Sequence, residues 1–144
     1  MDDREALKIQ LSELMHELFQ INQRIFEQDD YSNLLSLCEK DITILDMLSL
    51  RENCTAKQLS VALNLPKTTV VTAISRLVKR GYLIRSQNMQ DKREQFLQLT
   101  DKGKRANLEH HQYEALFLEG IMDLWKEEDQ KALAEIIKRR EHKR

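Results

Sequence analysis

The chain has 144 residues, 23 Lys and Arg against 24 Asp and Glu, and a net charge of −1. That length suits one domain with its own core, and three glycines, one proline and 33% charge favour a mainly helical protein with few loops. No apolar run approaches membrane-spanning length, and the start Met1-Asp2-Asp3-Arg4-Glu5 is too acidic for a signal peptide, so a cytoplasmic protein with no membrane partner is expected. The near-neutral total hides an asymmetry. Residues 55–105 hold 11 Lys and Arg against Asp91, Glu94 and Asp101, a balance of +8, which leaves −9 on the remainder. A basic surface on an acidic body fits directed attraction of a polyanion.

A first helix is predicted from about Arg4 to about Gln28. Leu7, Leu11, Leu14, Leu18, Ile21 and Ile25 follow a heptad seam, and Ile9, Met15, Phe19 and Phe26 widen it beyond one stripe. A helix so apolar must bury two surfaces, one within its own subunit and one on another. Asp29 to Ser36 is a break with a small cluster at Tyr31, Leu34, Leu35 and Leu37. Cys38 to about Arg51 is helical, with Ile42, Leu45, Met47 and Leu48 expected inside. Thr55 suits the N-cap of the next helix, in which Leu59, Ala62 and Leu63 pack inward.

Asn64-Leu65 then forms a brief turn into the helix around which the chain is organised. Pro66, the sole proline, is expected at the first helical position, where no N–H is needed. Val70, Ala73, Ile74, Leu77 and Val78 make one buried stripe. Thr68, Thr72, Ser75 and Lys79 point the opposite way, with Thr69 and Arg76 along one edge. That outer face carries hydroxyls and cations and no carboxylate, which suits an anion. Lys79 and Arg80 complement the helix dipole before Gly81 stops the helix.

Tyr82 to Arg85 reads as a short strand and residues 95–99 as its partner, with Leu97 and Leu99 facing inward. The polar turn between them, Ser86 to Glu94, holds Asp91, Lys92 and Arg93. Helix, hairpin and basic tip describe a winged helix-turn-helix whose second helix enters the major groove. Thr100 caps a long helix expected to reach Leu124, with Leu108, Ala115, Leu118, Ile121, Met122 and Trp125 on its buried side. Glu127, Glu128 and Asp129 then favour a fresh helix start. Leu133, Ile136 and Ile137 give it an apolar side, and a basic tail runs from Lys138 to Arg144.

Asp91-Lys92-Arg93 followed by Leu97, Leu99, Thr100 and Gly103 resembles the wing signature of the MarR family of bacterial transcription regulators. The likeness is clearest from about Asp41 to Arg105. It implies a homodimer on a palindromic operator in double-stranded DNA, usually a repressor relieved by a ligand, an oxidant or a metal. The implied fold class is mainly α with a small β-hairpin wing. One MarR-like domain of residues 1–144 would hold dimerisation helices at about 1–37 and 106–144 and a DNA-binding lobe at about 38–105. The family's usual effector cleft would lie between the first helix, the Leu108–Leu124 helix and that lobe.

Candidate contacts to bases and phosphates are Thr68, Thr69, Thr72, Ser75 and Arg76, with Lys67, Lys79 and Arg85 on phosphates. Arg93 and Lys92 would reach an adjacent minor groove or phosphates, with Asp91 orienting Arg93 through a charge-assisted hydrogen bond. No glycine-rich phosphate loop, zinc-protease helix or nucleophile elbow is present, so neither an enzyme nor a cofactor is expected. Cys38 and Cys54 form no Cys-x-x-Cys pair and read as small buried hydrophobes, with oxidant sensing at Cys38 as the alternative. His110 and His111 diverge by 100° on a helix, and His111 is expected as a hydrogen-bonded core histidine. A zinc site would require Cys38, Glu109 or His16 to converge on it. The competing reading is a winged helix used for protein docking, which would carry apolar anchors on its outer helix face. A ligand-binding protein without DNA affinity would not need Lys92 and Arg93.

Overall fold

The computed structural model describes residues 1–141, so His142 to Arg144 of the expected basic tail lie outside the described residues. The helices are α1 (Asp3–Gln28), α2 (Ser32–Leu35), α3 (Glu39–Ser49), α4 (Ala56–Leu63), α5 (Lys67–Lys79), α6 (Asp101–Met122) and α7 (Glu127–Lys138). The strands β1 (Leu83–Gln87) and β2 (Gln95–Leu99) pair antiparallel between α5 and α6. The chain divides into two compact units, residues 31–112 and the paired segments 1–30 and 113–144. The fold is mostly helical with one two-stranded hairpin, a winged helix.

The unit of residues 31–112 is built on one core. Ile44, Leu45 and Leu48 of α3, Leu59 of α4 and Val70, Ala73, Ile74 and Leu77 of α5 meet there. Cys54, Tyr82, Leu83, Leu97 and Ala106 complete it. The inward residue of α3 is Ile44 rather than Ile42, which is half-buried. Ile44, Leu45 and Leu48 share one helical stripe with Asp41, and Ile42 stands on its shoulder. Ala62 is exposed, against the expectation, because Ala56, Leu59 and Leu63 define the packed side of α4 and Ala62 lies off it. Thr55 caps α4 reciprocally: its hydroxyl accepts the Gln58 N–H at 3.2 Å while Gln58 Oε1 accepts the Thr55 N–H at 3.0 Å.

Asn64 turns the chain in the left-handed region, at φ 52°. Pro66 precedes α5 as its N-cap, at φ −57° and ψ 141°, and Lys67 is the first helical residue. The position still suits proline, because an N-cap contributes its carbonyl, here accepting the Val70 N–H at 3.2 Å. At the other end Gly81 adopts φ 85°. The Tyr82 N–H donates to the Leu77 carbonyl at 2.9 Å and the Gly81 N–H to the Val78 carbonyl at 3.1 Å, the paired bonds of a Schellman stop.

In the hairpin Leu83 pairs with Leu99, Arg85 with Leu97 and Gln87 with Gln95. Leu97 also bridges to Cys54, its N–H donating to the Cys54 carbonyl at 2.8 Å, so the wing is sewn to the segment preceding α4. Thr100 caps α6, its hydroxyl accepting the Gly103 N–H at 3.1 Å. A side chain at Gly103 would fall on the Tyr82 carbonyl oxygen. The Thr-x-x-Gly element therefore has a mechanical reason: it lets α6 lie directly against the strand backbone.

In the unit of residues 1–30 and 113–144, Asp2 caps α1 by accepting the Glu5 N–H at 2.7 Å. Burial of the α1 seam fades toward its N-terminus. Ile21 and Ile25 are buried, Leu14 and Leu18 half-buried, and Leu7 and Leu11 exposed. The Phe26 and Tyr113 rings stack at 4.9 Å, the Tyr113 hydroxyl donates to Asn22 Oδ1, and burial pushes the Tyr113 phenol up. The helix α6 stops at Met122, two residues short of expectation. The Leu124 and Trp125 N–H groups turn back to the Ile121 and Met122 carbonyls at 3.1 Å, and the Gln130 side chain covers the Met122 and Trp125 carbonyls. Leu108, Ala115, Leu118 and Met122, expected inside, are exposed, while Ile121 and Trp125 are half-buried. In α7 Leu133 is half-buried and Ile136 and Ile137 are exposed. The periodicity is that of a packed helix, but among the described residues these side chains find no full cover. No described helix is long and apolar enough to cross a membrane.

Candidate nucleic-acid interface

Because Val70, Ala73, Ile74 and Leu77 are fixed inward, the opposite side of α5 must face outward. Lys67, Thr68, Thr72, Ser75 and Lys79 are exposed there, and Thr69 is half-buried at the edge. Val71, which the sequence reading passed over, is 41% exposed on the same side. A valine or threonine methyl at such a place can meet a thymine methyl. The Thr72 hydroxyl donates to the Thr68 carbonyl at 2.8 Å, which leaves its oxygen lone pairs and methyl outward. Lys67 and Lys79 make no hydrogen bond or ion pair within the described residues. Arg76 does: its Nη2 donates to Asp41 Oδ1 on α3 and lies 3.9 Å from Cys38 Sγ.

The wing is joined to α5 by a second arginine. Arg85 on β1 donates from Nη2 to Ser75 Oγ at 3.1 Å, so two of the candidate residues form one unit. At the tip Asn88 Oδ1 accepts the Gln90 and Asp91 N–H groups at 2.9 and 3.3 Å, a local turn bond. Asp91 Oδ1 accepts the Arg93 backbone N–H at 3.1 Å and Arg93 Nε at 3.2 Å. The Arg93 hydrogen bonds hold the Asp91 carboxyl below the usual carboxylate range. Lys92 is exposed beside it. Between the start of α5 and the wing lies a groove of about 350 Å³ lined by Lys57, Lys67, Arg85, Lys92 and Arg93, with Glu94 as its acid. A concave wall with five cations concentrates an anion's electrostatic gain.

The C-terminal end of α5 is clamped by residues that sequence periodicity does not single out. Arg80 Nη2 donates to the Ser36 carbonyl at 2.7 Å, and Tyr82 Oη shares a hydrogen bond with Ser36 Oγ at 2.5 Å. Lys102 Nζ stands 4.4 Å from the Tyr82 ring centre and donates to the Arg80 carbonyl at 2.9 Å. These contacts tie α5 to residues 33–36 and to α6, which fixes the direction of its outer face.

The sensing candidates do not converge. Cys38 is exposed at the N-cap of α3 and Cys54 is buried, where burial pushes its thiol up. His111 is exposed rather than in the core, since Asp46 on α3 offers it Oδ1 at 2.7 Å near the surface. The neighbouring His110 ring lies 5.4 Å from the His111 ring. Among the described residues no three His, Cys, Asp or Glu side chains come together in a group that could hold a metal ion.

A helix-turn-helix with an exposed cationic second helix and a basic hairpin beside it defines a winged helix-turn-helix protein. The sequence model of the MarR family matches residues 38–95, the heart of this unit, so the winged helix-turn-helix is similar to that of the MarR family of transcription regulators. Solved structures share the fold across both units. FabT of Streptococcus pneumoniae, in complex with DNA, is 22% identical with a TM-score of 0.70, over 94% of this chain and 93% of that one. Apo wild-type MarR of E. coli is 21% identical with a TM-score of 0.65, over 89% and 93%. PcaV, a transcriptional regulator of Streptomyces coelicolor with its natural ligand, is 21% identical with a TM-score of 0.57, over 81% and 86%. No curated protein matches the chain by sequence.

Proposed function

We propose that the chain reads a palindromic operator as a homodimer, placing α5 of each subunit in a major groove and the wing tip on adjacent phosphates or the minor groove. The observation that carries this reading is the outward side of α5, where Lys, Thr, Ser and Lys follow one another with no carboxylate, beside the five-cation groove under the wing. Thr68, Thr69, Thr72, Ser75 and Arg76 are the candidates for base and phosphate contacts. Lys67, Lys79, Arg85, Lys92 and Arg93 are the candidates for the backbone, with Asp91 as the brace of Arg93. The exposed apolar sides of α1, α6 and α7 are the surface a second copy would cover. FabT in complex with DNA and PcaV with its natural ligand show regulators of this fold holding each kind of partner. In this reading the chain is a repressor released by an effector.

The test is selection from a random duplex library followed by gel shift at low and moderate salt. The expected result is an enriched two-fold symmetric sequence, bound with a log–log salt slope near −0.9 for each phosphate neutralised. Failure to bind any duplex at low salt overturns the reading.

A further inference from the structure

We propose that Asp41 is a specificity-determining positioning residue: it anchors Arg76 so that the arginine meets DNA in one orientation instead of collecting phosphates at large. The proposal rests on the DNA-reading function above.

Asp41 is the third residue of α3, where a short acid ordinarily caps the helix from solvent. It does accept the Cys38 N–H, through Oδ2 at 3.3 Å. Its side chain, however, is only 2% exposed, and its Oδ1 takes the Arg76 guanidinium across 35 positions of sequence. A carboxylate so buried is costly unless paired, and Arg76 is its ion partner among the described residues. The partner is not buried to the same degree. The Arg76 side chain remains 43% exposed, at the mouth of a hollow of about 460 Å³ that Lys40, Thr68, Thr69 and Thr72 also line. One edge of the guanidinium is thus held from behind by α3 while the rest faces outward beside the reading threonines.

Two consequences follow from this geometry. A free arginine on a helix surface samples many rotamers and binds any phosphate within reach, a gain that is blind to sequence. An anchored one has its planar fork set beforehand, which is what a base edge demands and what a wandering backbone contact does not. The Asp41 charge also offsets the arginine at short range, so Arg76 adds little to the field that draws in DNA non-specifically. Asp41, itself out of reach of DNA, acts only through Arg76.

The experiment compares wild type, Asp41→Asn and the double variant Asp41→Asn/Arg76→Gln. Each is tested on the duplex selected from a random library and on its scrambled counterpart over a salt series, with thermal midpoint and light scattering alongside. Asp41→Asn is expected to bind scrambled duplex more tightly, with a salt slope steeper by about one. Its preference for the selected duplex is expected to fall about tenfold. The double variant leaves no buried unpaired charge. It is expected to keep the low preference while its slope returns to the wild-type value or below. If Asp41→Asn lowers only the thermal midpoint and keeps the wild-type preference and slope, Asp41 is merely structural and the proposal fails. Should the single variant not fold, a double variant with wild-type preference has the same meaning. A double variant that retains the steeper slope also overturns it, because the effect then bypasses Arg76. A wild-type protein that enriches no sequence overturns the DNA-reading itself, and this proposal with it.

Discussion

The two units of this chain treat the same kind of side chain in opposite ways. In residues 31–112 the inward stripes of α3, α4 and α5 close on one another, and Ile44, Leu59, Val70 and Leu77 lose all contact with solvent. In the paired segments 1–30 and 113–144 the apolar residues are as regular, yet Ile21 and Ile25 are the buried ones, while Leu7, Leu11, Phe19, Leu118 and Ile136 stay open. One unit satisfies its own pattern. The other leaves much of its pattern exposed, and it is there that the proposed second copy would sit.

Substitutions that respond differently in the two units break or sharpen this contrast. The largest effect is expected from Leu11→Glu. Leu11 is 53% exposed in the single chain, so a functional monomer would tolerate the change. A dimer sealed by α1 would be weakened about 100-fold or more and would lose operator binding with it. Light scattering on the variant and on the wild type at micromolar concentration decides between them, and a stable wild-type monomer would sink the dimer.

Next comes Leu59→Ala, which opens a cavity in the closed core. It should cost about 2–5 kcal/mol in urea unfolding. That cost should not depend on protein concentration, whereas the midpoint of any α1 seam variant should. A concentration-dependent loss at Leu59 would mean that the winged unit does not stand alone.

A third substitution separates folding from reading within the winged unit. The Arg93 side chain is 91% exposed and its contact is with Asp91, so Arg93→Ala should leave the thermal midpoint and the dimer unchanged. Binding to the selected duplex should weaken by roughly 1–3 kcal/mol. Asp91→Ala should act in the same direction by releasing the arginine from its brace. With the Asp91 carboxyl held below its ordinary value, the pair is complete at neutral pH. Its contribution is lost only as pH falls through that lowered value, so the wing should not add a pH dependence near neutrality. Wild-type binding by both variants would remove the wing from the interface.

The smallest effect is expected at Lys79, exposed at the end of α5. Lys79→Ala should weaken selected and scrambled duplex about equally and reduce the salt slope by about one. A loss confined to the selected duplex would make Lys79 a base reader.

Sequence by itself determined the elements whose causes are local. The spacing of Val70, Ala73, Ile74 and Leu77 oriented α5, because each lies within a turn or two of the next. Thr55, and Gly81 after Arg80, marked helix ends for the same reason. The alternation through Leu97 and Leu99 placed the returning strand, and Asp91 beside Arg93 marked the wing brace two residues apart. What the tertiary structure decided were choices among residues that periodicity leaves nearly equivalent. Ile44 rather than Ile42 faces the core, Ala62 turns outward, and His111 meets Asp46 at the surface. It also decided every pairing made across a long loop. Nothing near Asp41 in sequence announces that its carboxylate is buried, and nothing near Arg76 announces that it is anchored, because the two meet only when α3 packs on α5, 35 positions apart. Arg80 and Tyr82 find Ser36 in the same way. Local periodicity says which side of a helix is apolar, whereas the identity of what covers that side, whether a neighbouring helix or another copy of the chain, depends on contacts that exist only after the elements have packed.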